Sequence, residues 1–408
     1  MLALLVVLSL LFAWALAADR LARWSITAPL AFAVAGIVLT RGYDPAVPLD
    51  LQAHGTYRGV ELVLAVLLFV DATEAEQYDE LEQRSVGEGR LLFLALPVSV
   101  VLATLVGAAV FPGTNWWLLG VTALVVMPMD LAPISMFLRD RRVPLRVRAA
   151  LNIEGGFSDG LISPVFVFCI ANLVSARSSS FGDLVVHAVK QAGLAVVVGI
   201  VLGYLASRLV RRALGAGWAS AGTLRLASLA LPFMAYASSV LVGGNGFVAA
   251  FVTGLCYSAT AHAVGGNNLE LVHDMAQLMA FAVWFTFGKL TADEFAKGIG
   301  WGVVLYGLLA LTVLRFVPVY FAVAGKGFDR PERCALGWLG SRGVTSIVFA
   351  VLAVTQLAPE EGRFVVNAMC ATVLLSVVLH GVSVVPVARW FERRTTAGTK
   401  GVRDGRRP

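Results

Sequence analysis

Apolar residues fill this chain in long blocks that seldom contain a charged side chain. About thirteen such blocks can be recognised, and most approach the ~20 residues that a helix needs to cross a bilayer. Their approximate extents are 2–17, 26–40, 59–72, 91–111, 116–138, 151–173, 184–206, 223–242, 246–263, 275–290, 298–323, 334–356 and 364–388. The pattern predicts an all-α polytopic membrane protein with about thirteen transmembrane helices.

Two of the predicted spans contain residues that interrupt a helix. The fifth span has a proline on each side of Asp130, and the twelfth places Arg342 between glycines. Proline removes a backbone donor and clashes with the preceding turn, so we expect the fifth span to break near its middle. The two interrupted spans occupy equivalent places if the chain forms two inverted halves of six helices around a linker helix. Interrupted helices at matching positions are typical of transporter binding sites.

Basic residues concentrate at one end of the predicted spans. They cluster in the loops at 20–23, 84–90, 139–148, 208–212 and 326–333 and in the tail after residue 388. The opposite loops contain only Arg41, Arg58, Arg177, Lys297 and Arg363. Lys and Arg accumulate in short cytoplasmic loops, so the pattern predicts an N-terminus outside and a C-terminus inside. Topology therefore explains the net charge of +6 better than nucleic-acid binding does.

Composition and motifs argue against several other classes of protein. The chain is 58% hydrophobic and 14% charged, whereas a soluble domain is about 25% charged. Its four cysteines are far apart and form no CxxC motif, so neither a disulfide framework nor a metal cluster is predicted. Protease, nucleotide-binding and hydrolase motifs are absent, and no organic cofactor is implied. We assign residues 1–392 to one transmembrane domain and predict a disordered basic tail at 393–408.

Four charged residues stand out within the predicted spans: Asp130, Glu154, Asp159 and Arg342. Each costs about 2.5–3.5 kcal/mol on insertion scales, which makes all four candidates for function. Glu154 and Asp159 are five residues apart on one predicted helix, a separation of about 140° around its axis. One carboxylate can therefore face the fixed arginine while the other faces an aqueous cavity.

Structural roles compete with functional ones at these positions. Glu154 and Arg342 can form a purely structural ion pair, because breaking a buried pair is costly. Asp130 can bond the free amides at its helix break instead of binding an ion. Asp159 has no obvious basic partner in the sequence, and a lone buried carboxylate is more naturally a titrating site.

Three further polar residues are weaker candidates. Asp71 closes the predicted third span, where an interfacial cap fits it as well as a binding role does. His380 fits a packing histidine within the last span. Arg315 in the eleventh span can either snorkel to the interface or form a pair.

Four stretches carry a family signal. They are LNIEGGFSDG at 151–160, LVGGNGFVAAFVTGL at 241–255, LGWLGSRGVTSIVFA at 336–350 and LSVVLHGVSVVPVARW at 375–390. Together they resemble the bacterial cation:proton antiporters of the NhaP type, a branch of the monovalent cation:proton antiporter superfamily. The resemblance implies thirteen helices in two inverted repeats. It also implies a mobile core bundle with crossed broken helices that moves against a dimerising bundle.

The resemblance also implies roles for individual residues. Asp159 matches the aspartate that binds the cation or the proton, Glu154 matches the glutamate that pairs with Arg342, and Asp130 matches the aspartate of the broken fifth helix. Some neighbouring positions depart from the family pattern. Met129 and Leu131 stand where Thr and Pro are common, Gly155 where Ser is common, and Ser158 where Asn or Asp is usual.

These observations predict a secondary active antiporter of the inner membrane that works by alternating access. Hard oxygen ligands suit a monovalent cation, with Na⁺ favoured and K⁺ or Li⁺ also suited. The expected ligands are Asp159, Ser158 and groups near Met129 and Asp130. Serine does not titrate in the working range, so the exchange is predicted to be electroneutral. The resemblance suggests a homodimer. The alternative is a degenerate antiporter-like sensor or scaffold without turnover.

Overall fold

The computed structural model describes residues 2–23, 27–40, 54–77, 86–140, 142–175, 181–263 and 268–404, and every regular element in these ranges is a helix. The α-helices in chain order are α1 (Leu2–Arg23), α2 (Ala28–Thr40), α3 (His54–Gln77), α4 (Val86–Arg90), α5 (Leu96–Val110), α6 (Trp116–Val126), α7 (Ser135–Arg139), α8 (Leu145–Ser175), α9 (Phe181–Gly215), α10 (Ala221–Leu241), α11 (Gly246–Ala263), α12 (Glu270–Ala296), α13 (Trp301–Leu311), α14 (Val313–Ala322), α15 (Arg330–Trp338), α16 (Val344–Gln356) and α17 (Pro359–Asp404). A π-helical turn at Leu91–Ala95 joins α4 to α5, and a 3₁₀ turn at Ala132–Ile134 precedes α7.

Each of the predicted hydrophobic blocks contains at least one of these helices. In the described part of the chain, six helical segments are long and apolar enough to cross a membrane: Gly87–Val110, Leu145–Val174, Gly182–Gly215, Gly222–Leu241, Trp301–Ala322 and Pro359–Arg394. Shorter apolar helices accompany them. An all-helical architecture of membrane type is confirmed, whereas the number of crossings, their orientation and the inverted repeats stay predictions.

Polar side chains define where several helices begin. The Asn115 side chain accepts the backbone N–H of Trp117 at 2.8 Å and caps α6. Asp329 and Glu332 form a reciprocal capping box at the start of α15. Such caps satisfy amide groups that have no partner within the first turn of a helix.

Both predicted helix breaks are confirmed. α6 ends at Val126, and the chain leaves helical geometry before the 3₁₀ turn that leads into α7. α15 ends at Trp338, and α16 begins only at Val344. The long helix α8 packs against α3, α6 and α16, so it passes beside both interrupted segments. The residues of the two breaks are therefore brought together with the carboxylates of α8.

The C-terminal segment differs from the sequence-based prediction. α17 continues to Asp404, so residues 393–404 are helical where a disordered tail was predicted, and 405–408 lie outside the described residues. Adding residues to an existing helix requires no new nucleation, and no proline interrupts this stretch. A salt bridge of 3.0 Å from Arg394 to Asp329 also holds the start of the segment.

Candidate functional site

The two broken helices meet through their backbones. The Asp130 N–H donates to the Ser341 carbonyl at 2.8 Å. In return, the Ser341 hydroxyl donates to the Asp130 carbonyl. These bonds satisfy backbone groups that the interruptions deprive of helical partners. The two irregular segments are therefore joined as one hydrogen-bonded unit, which we call the crossing.

Asp130 caps the helix that follows the other break. Its Oδ2 accepts the Val344 N–H at 2.5 Å, at the first residue of α16, and its Oδ1 accepts the Ala132 N–H at 2.7 Å. A carboxylate at a helix N-terminus is stabilised by the free amides and the helix dipole. Gly343 permits this approach, because a Cβ there would overlap the Asp130 carboxylate and lie 2.9 Å from the Trp284 ring. The geometry gives Asp130 the capping role that the sequence left open.

Arg342 caps the C-terminal end of α6. Its guanidinium donates to the Met127 carbonyl and, at 3.0 Å, to the Pro128 carbonyl, which follow the last turn of α6. A cation at a helix C-terminus is stabilised by the unpaired carbonyls and the dipole. The Arg342 side chain is fully buried. This arginine therefore neutralises a helix end and makes no salt bridge with a carboxylate in the described part of the chain.

The predicted pair of Glu154 with Arg342 is wrong, because Glu154 pairs with Arg315 of α14. Arg315 reaches the two carboxylate oxygens at 2.6 and 3.0 Å, and both side chains are buried. Arg315 also donates to the Met129 sulfur and the Leu336 carbonyl, each at 3.3 Å. The guanidinium of Arg342 is turned to the end of α6, whereas Arg315 faces α8 and supplies the counter-charge.

Asp159 occupies the centre of the crossing with hydroxyl groups as its direct partners. Its residue is 3% exposed. The Ser158 hydroxyl lies 3.0 Å from Oδ1, and the Thr345 hydroxyl donates to Oδ2. Among the described residues, Asp159 makes no salt bridge. It is thus a buried carboxylate held by neutral donors, as the sequence predicted for a lone acid.

The backbone of the first break, at Met129, also approaches Ser158. The Met129 N–H donates to the Ser158 hydroxyl at 3.4 Å, and that hydroxyl lies 3.2 Å from the Gly155 carbonyl. Gly155 and Leu131, which both depart from the family pattern, are neighbours here. A Cβ on Gly155 would lie 2.8 Å from the Leu131 side chain, so Leu131 fills the space that a larger residue at 155 would need.

Asp71 is a further acid near Asp159, and of the two roles that the sequence left open for it, the interfacial cap is not observed. α3 continues beyond it to Gln77, so Asp71 lies inside the helix. Its half-buried carboxyl interacts electrostatically with Asp159 and Asp130. Asp71 therefore joins Asp130 among the carboxylates that interact electrostatically with Asp159.

Thr345 was not singled out from the sequence. It is the second residue of α16, where the helix resumes after the break. Its position in the first turn after a predicted helix break was the one feature of the sequence that could have identified it as a site residue. Sequence periodicity alone does not show that α16 brings this hydroxyl to α8.

The arrangement offers oxygen ligands and little else. In the ranges that the structure describes, no three His, Cys, Asp or Glu side chains lie close enough to share a metal ion. Carboxylate, hydroxyl and carbonyl oxygens suit hard cations, and a monovalent cation needs less negative charge than a divalent one. The centre can hold either a proton or one such cation on Asp159.

Sequence comparisons find relatives that are named as cation/proton antiporters. The K(+)/H(+) antiporter NhaP2 of Shewanella oneidensis is 25% identical over 284 residues, which cover 67% of this chain and 47% of that protein. The chain thus spans about half the length of this curated relative. The Na(+)/H(+) antiporter of Schizosaccharomyces pombe is 24% identical over 387 residues, covering 84% of this chain and 80% of that protein.

A solved structure shares the fold. The sodium proton antiporter MjNhaP1 from Methanocaldococcus jannaschii at pH 8 superimposes with a TM-score of 0.72 at 15% identity, covering 94% of this chain and 100% of that one. The family model described as the transmembrane sodium/hydrogen exchanger matches residues 6–390. Since that match extends over nearly the whole chain, the protein belongs to the sodium/hydrogen exchanger family.

Proposed function

We propose that this protein is a secondary active antiporter that exchanges a monovalent cation for protons across the inner membrane by alternating access. The observation that carries the proposal is the environment of Asp159. A buried carboxylate with hydroxyl partners, placed where two broken helices cross, can be neutralised by a proton or by a cation. Competition between the two for one carboxylate couples their movements in opposite directions.

The ligand shell follows from the neighbours of Asp159. Ser158 and Thr345 place hydroxyl oxygens on the two sides of the carboxylate. The Met129 carbonyl completes the shell in our proposal. The Met129 backbone lies beside Ser158, since the Met129 N–H donates to the Ser158 hydroxyl. Asp130 caps the N-terminus of α16, and its charge interacts with Asp159.

The test is cation-dependent dissipation of a pH gradient in proteoliposomes that contain the purified protein. Na⁺, K⁺ and Li⁺ are added in turn, and vesicles without protein provide the background. Dissipation by any of these ions supports exchange, and we expect Na⁺ to be the best substrate. A well-folded protein that dissipates no gradient with any of them would contradict the proposal and favour a sensor or scaffold.

We predict electroneutral exchange of one cation for one proton. Ser158 does not titrate, so Asp159 is the single carrier, and a carboxylate that swaps a proton for a monovalent cation moves no net charge. Sodium-driven exchange should be independent of a membrane potential that valinomycin and different potassium gradients impose.

A second proton-carrying acid provides the alternative to this stoichiometry. The two candidates are Asp130, whose carboxylate accepts two backbone N–H groups, and Asp71, which interacts electrostatically with Asp159. Rates that respond strongly to the imposed potential would contradict electroneutral exchange. If Asp71→Asn then removed the response, Asp71 would be the second proton carrier.

Thr345→Val should raise the cation concentration for half-maximal exchange about tenfold. The change removes a hydroxyl that bonds the ionised Asp159, and hydrogen bonds to charged groups contribute about 1.5–3 kcal/mol. Thr345→Ser keeps the hydroxyl and should remain within about twofold of the original value. Initial rates over a range of cation concentrations measure both variants. Equal half-maximal cation concentrations for the Val and Ser variants would show that the Thr345 hydroxyl takes no part in cation binding.

We also propose that the N-terminus lies outside, the C-terminus lies inside, and the protein is a homodimer. The distribution of basic loops supports the orientation, and the family resemblance supports the dimer. Labelling of single cysteines introduced at the two termini by an impermeant reagent tests the orientation. Native mass spectrometry in detergent tests the dimer, and a monomer at all concentrations would contradict it.

A further inference from the structure

The break between α15 and α16 separates two backbone groups that a continuous helix would pair. In an α-helix the N–H of residue i+4 donates to the carbonyl of residue i, which here would join Arg342 to Trp338. α15 ends at Trp338, and this bond is not made. Instead, the Arg342 N–H donates to the Ser376 hydroxyl at 2.7 Å, and the Trp338 carbonyl lies 2.8 Å from His380 Nε2.

Ser376 and His380 connect these two orphaned groups. They are one turn apart on α17, and the Ser376 hydroxyl lies 3.0 Å from His380 Nδ1. The Trp338 carbonyl only accepts, so Nε2 carries a hydrogen and donates to it. The Ser376 hydroxyl accepts from Arg342 and donates its own hydrogen to Nδ1. The result is a chain of three hydrogen bonds across the break.

His380 lies in the protein interior beside two positive charges. The imidazole is 1% exposed, and its electrostatic neighbours are the guanidinium groups of Arg342 in the break and Arg315 in α14. The Arg315 charge is balanced by Glu154 of α8, whereas Arg342 faces carbonyl groups. A second proton on the imidazole would sit on Nδ1, which lies 3.0 Å from both the hydroxyl and the carbonyl of Ser376, and would add a positive charge beside two others. The neutral tautomer with hydrogen on Nε2 satisfies the Arg342 amide, the Ser376 hydroxyl and the Trp338 carbonyl without adding a charge.

A second contact holds the same helix end. The Trp338 indole N–H donates to the Ser383 hydroxyl at 2.9 Å, so α17 binds both the side chain and the carbonyl of Trp338. α17 thereby fixes α15 where it stops. The position of the next segment depends on the Arg342 amide, which Ser376 holds.

We propose that His380 is a neutral positioning residue which, together with Ser376, replaces the helical hydrogen bond lost between Trp338 and Arg342. The bridge sets the backbone at Arg342, from which the guanidinium reaches the end of α6. Three residues later the chain places Thr345 on Asp159. His380 acts on the ion site through this backbone and carries no transported proton.

The hydrogen-bond assignment is independent of transport, whereas its effect on exchange rests on the proposed function. The first measurement therefore uses hydrogen–deuterium exchange of the peptide that covers residues 336–346, in detergent-solubilised full-length protein. His380→Leu and Ser376→Ala should each speed exchange there about two- to tenfold, the equivalent of one net hydrogen bond. His380→Gln should leave it unchanged, because its amide offers a donor and an acceptor on one carbon, as the imidazole nitrogens do.

The second measurement follows sodium-driven exchange as a function of pH in proteoliposomes. His380→Leu should lower the maximal rate and raise the cation concentration for half-maximal exchange, whereas His380→Gln should restore both. The pH profile of His380→Gln should match the original protein, because the amide does not titrate. His187→Gln, at an exposed histidine of α9, is the matched control.

Two results would overturn the inference. Unchanged deuterium exchange at 336–346 in His380→Leu would mean that the bridge does not hold the break. A shifted pH profile in His380→Gln would make His380 a titrating group. If neither the original protein nor any variant exchanges cations but deuterium exchange changes as expected, the proposed function is contradicted and the positioning role of His380 is still supported.

Discussion

Replacing Asp159 by asparagine should abolish cation-dependent proton exchange and leave a folded, membrane-inserted protein. The asparagine side chain is nearly isosteric and its oxygen can still accept from Ser158 or Thr345, so the crossing should survive. Its amide neither releases a proton nor carries the negative charge that a cation requires. Exchange in proteoliposomes should fall to the background of vesicles without protein, while the melting temperature in detergent changes little.

The matched control is Asp274→Asn, at an exposed aspartate of α12. It makes the same chemical change away from the crossing and should keep exchange at the level of the original protein. Cation-driven exchange at a normal rate in Asp159→Asn would exclude this residue from the mechanism. A variant that fails to fold is identified by its melting curve, and Asp159→Glu then tests whether a displaced carboxylate retains residual exchange.

The second large effect concerns stability and the pair of Glu154 with Arg315. Truncating either residue to alanine should lower the free energy of unfolding by about 3–5 kcal/mol, because the partner is left as an uncompensated buried charge. The double variant removes both charges and should be less destabilised than the sum of the single changes. Denaturant titration in detergent micelles measures all four proteins of the cycle.

Two comparisons make this cycle specific. The pair of Arg225 and Glu270 is partly exposed and 2.7 Å apart, so its coupling should be only about 0–1 kcal/mol. Glu154 should also couple more strongly to Arg315 than to Arg342. Additive effects of the Glu154 and Arg315 substitutions, or stronger coupling of Glu154 to Arg342, would contradict the observed pairing.

The helix breaks could be predicted because their causes are local. Prolines on both sides of Asp130 and glycines around Arg342 act within a few residues of where they stand. The hydrophobic blocks that form the helices were also evident from the sequence. A buried carboxylate without a nearby base marked Asp159 as the central acid, and the structure places it at the crossing.

The partner of Glu154 could not be predicted from the same information. Arg315 and Arg342 both lay within predicted spans, and neither hydropathy nor spacing shows which helix packs on which side of α8. The family motif favoured Arg342, but that guanidinium compensates the end of α6, and the counter-charge comes from α14. The role of Thr345 was missed for the same reason, since its contact joins residues 186 positions apart.

The order of synthesis gives these long-range contacts a consequence for biogenesis. Glu154 precedes Arg315 by 161 residues, and Asp130 precedes the Val344 amide by 214. At translation rates of about 5–20 residues per second, each acid waits roughly 10–40 s for its partner. During that interval Glu154 lacks its counter-charge, and Asp130 lacks one of its two backbone partners. We expect chains truncated before α14 to be recognised by membrane quality control and degraded, whereas chains that extend past α16 should persist.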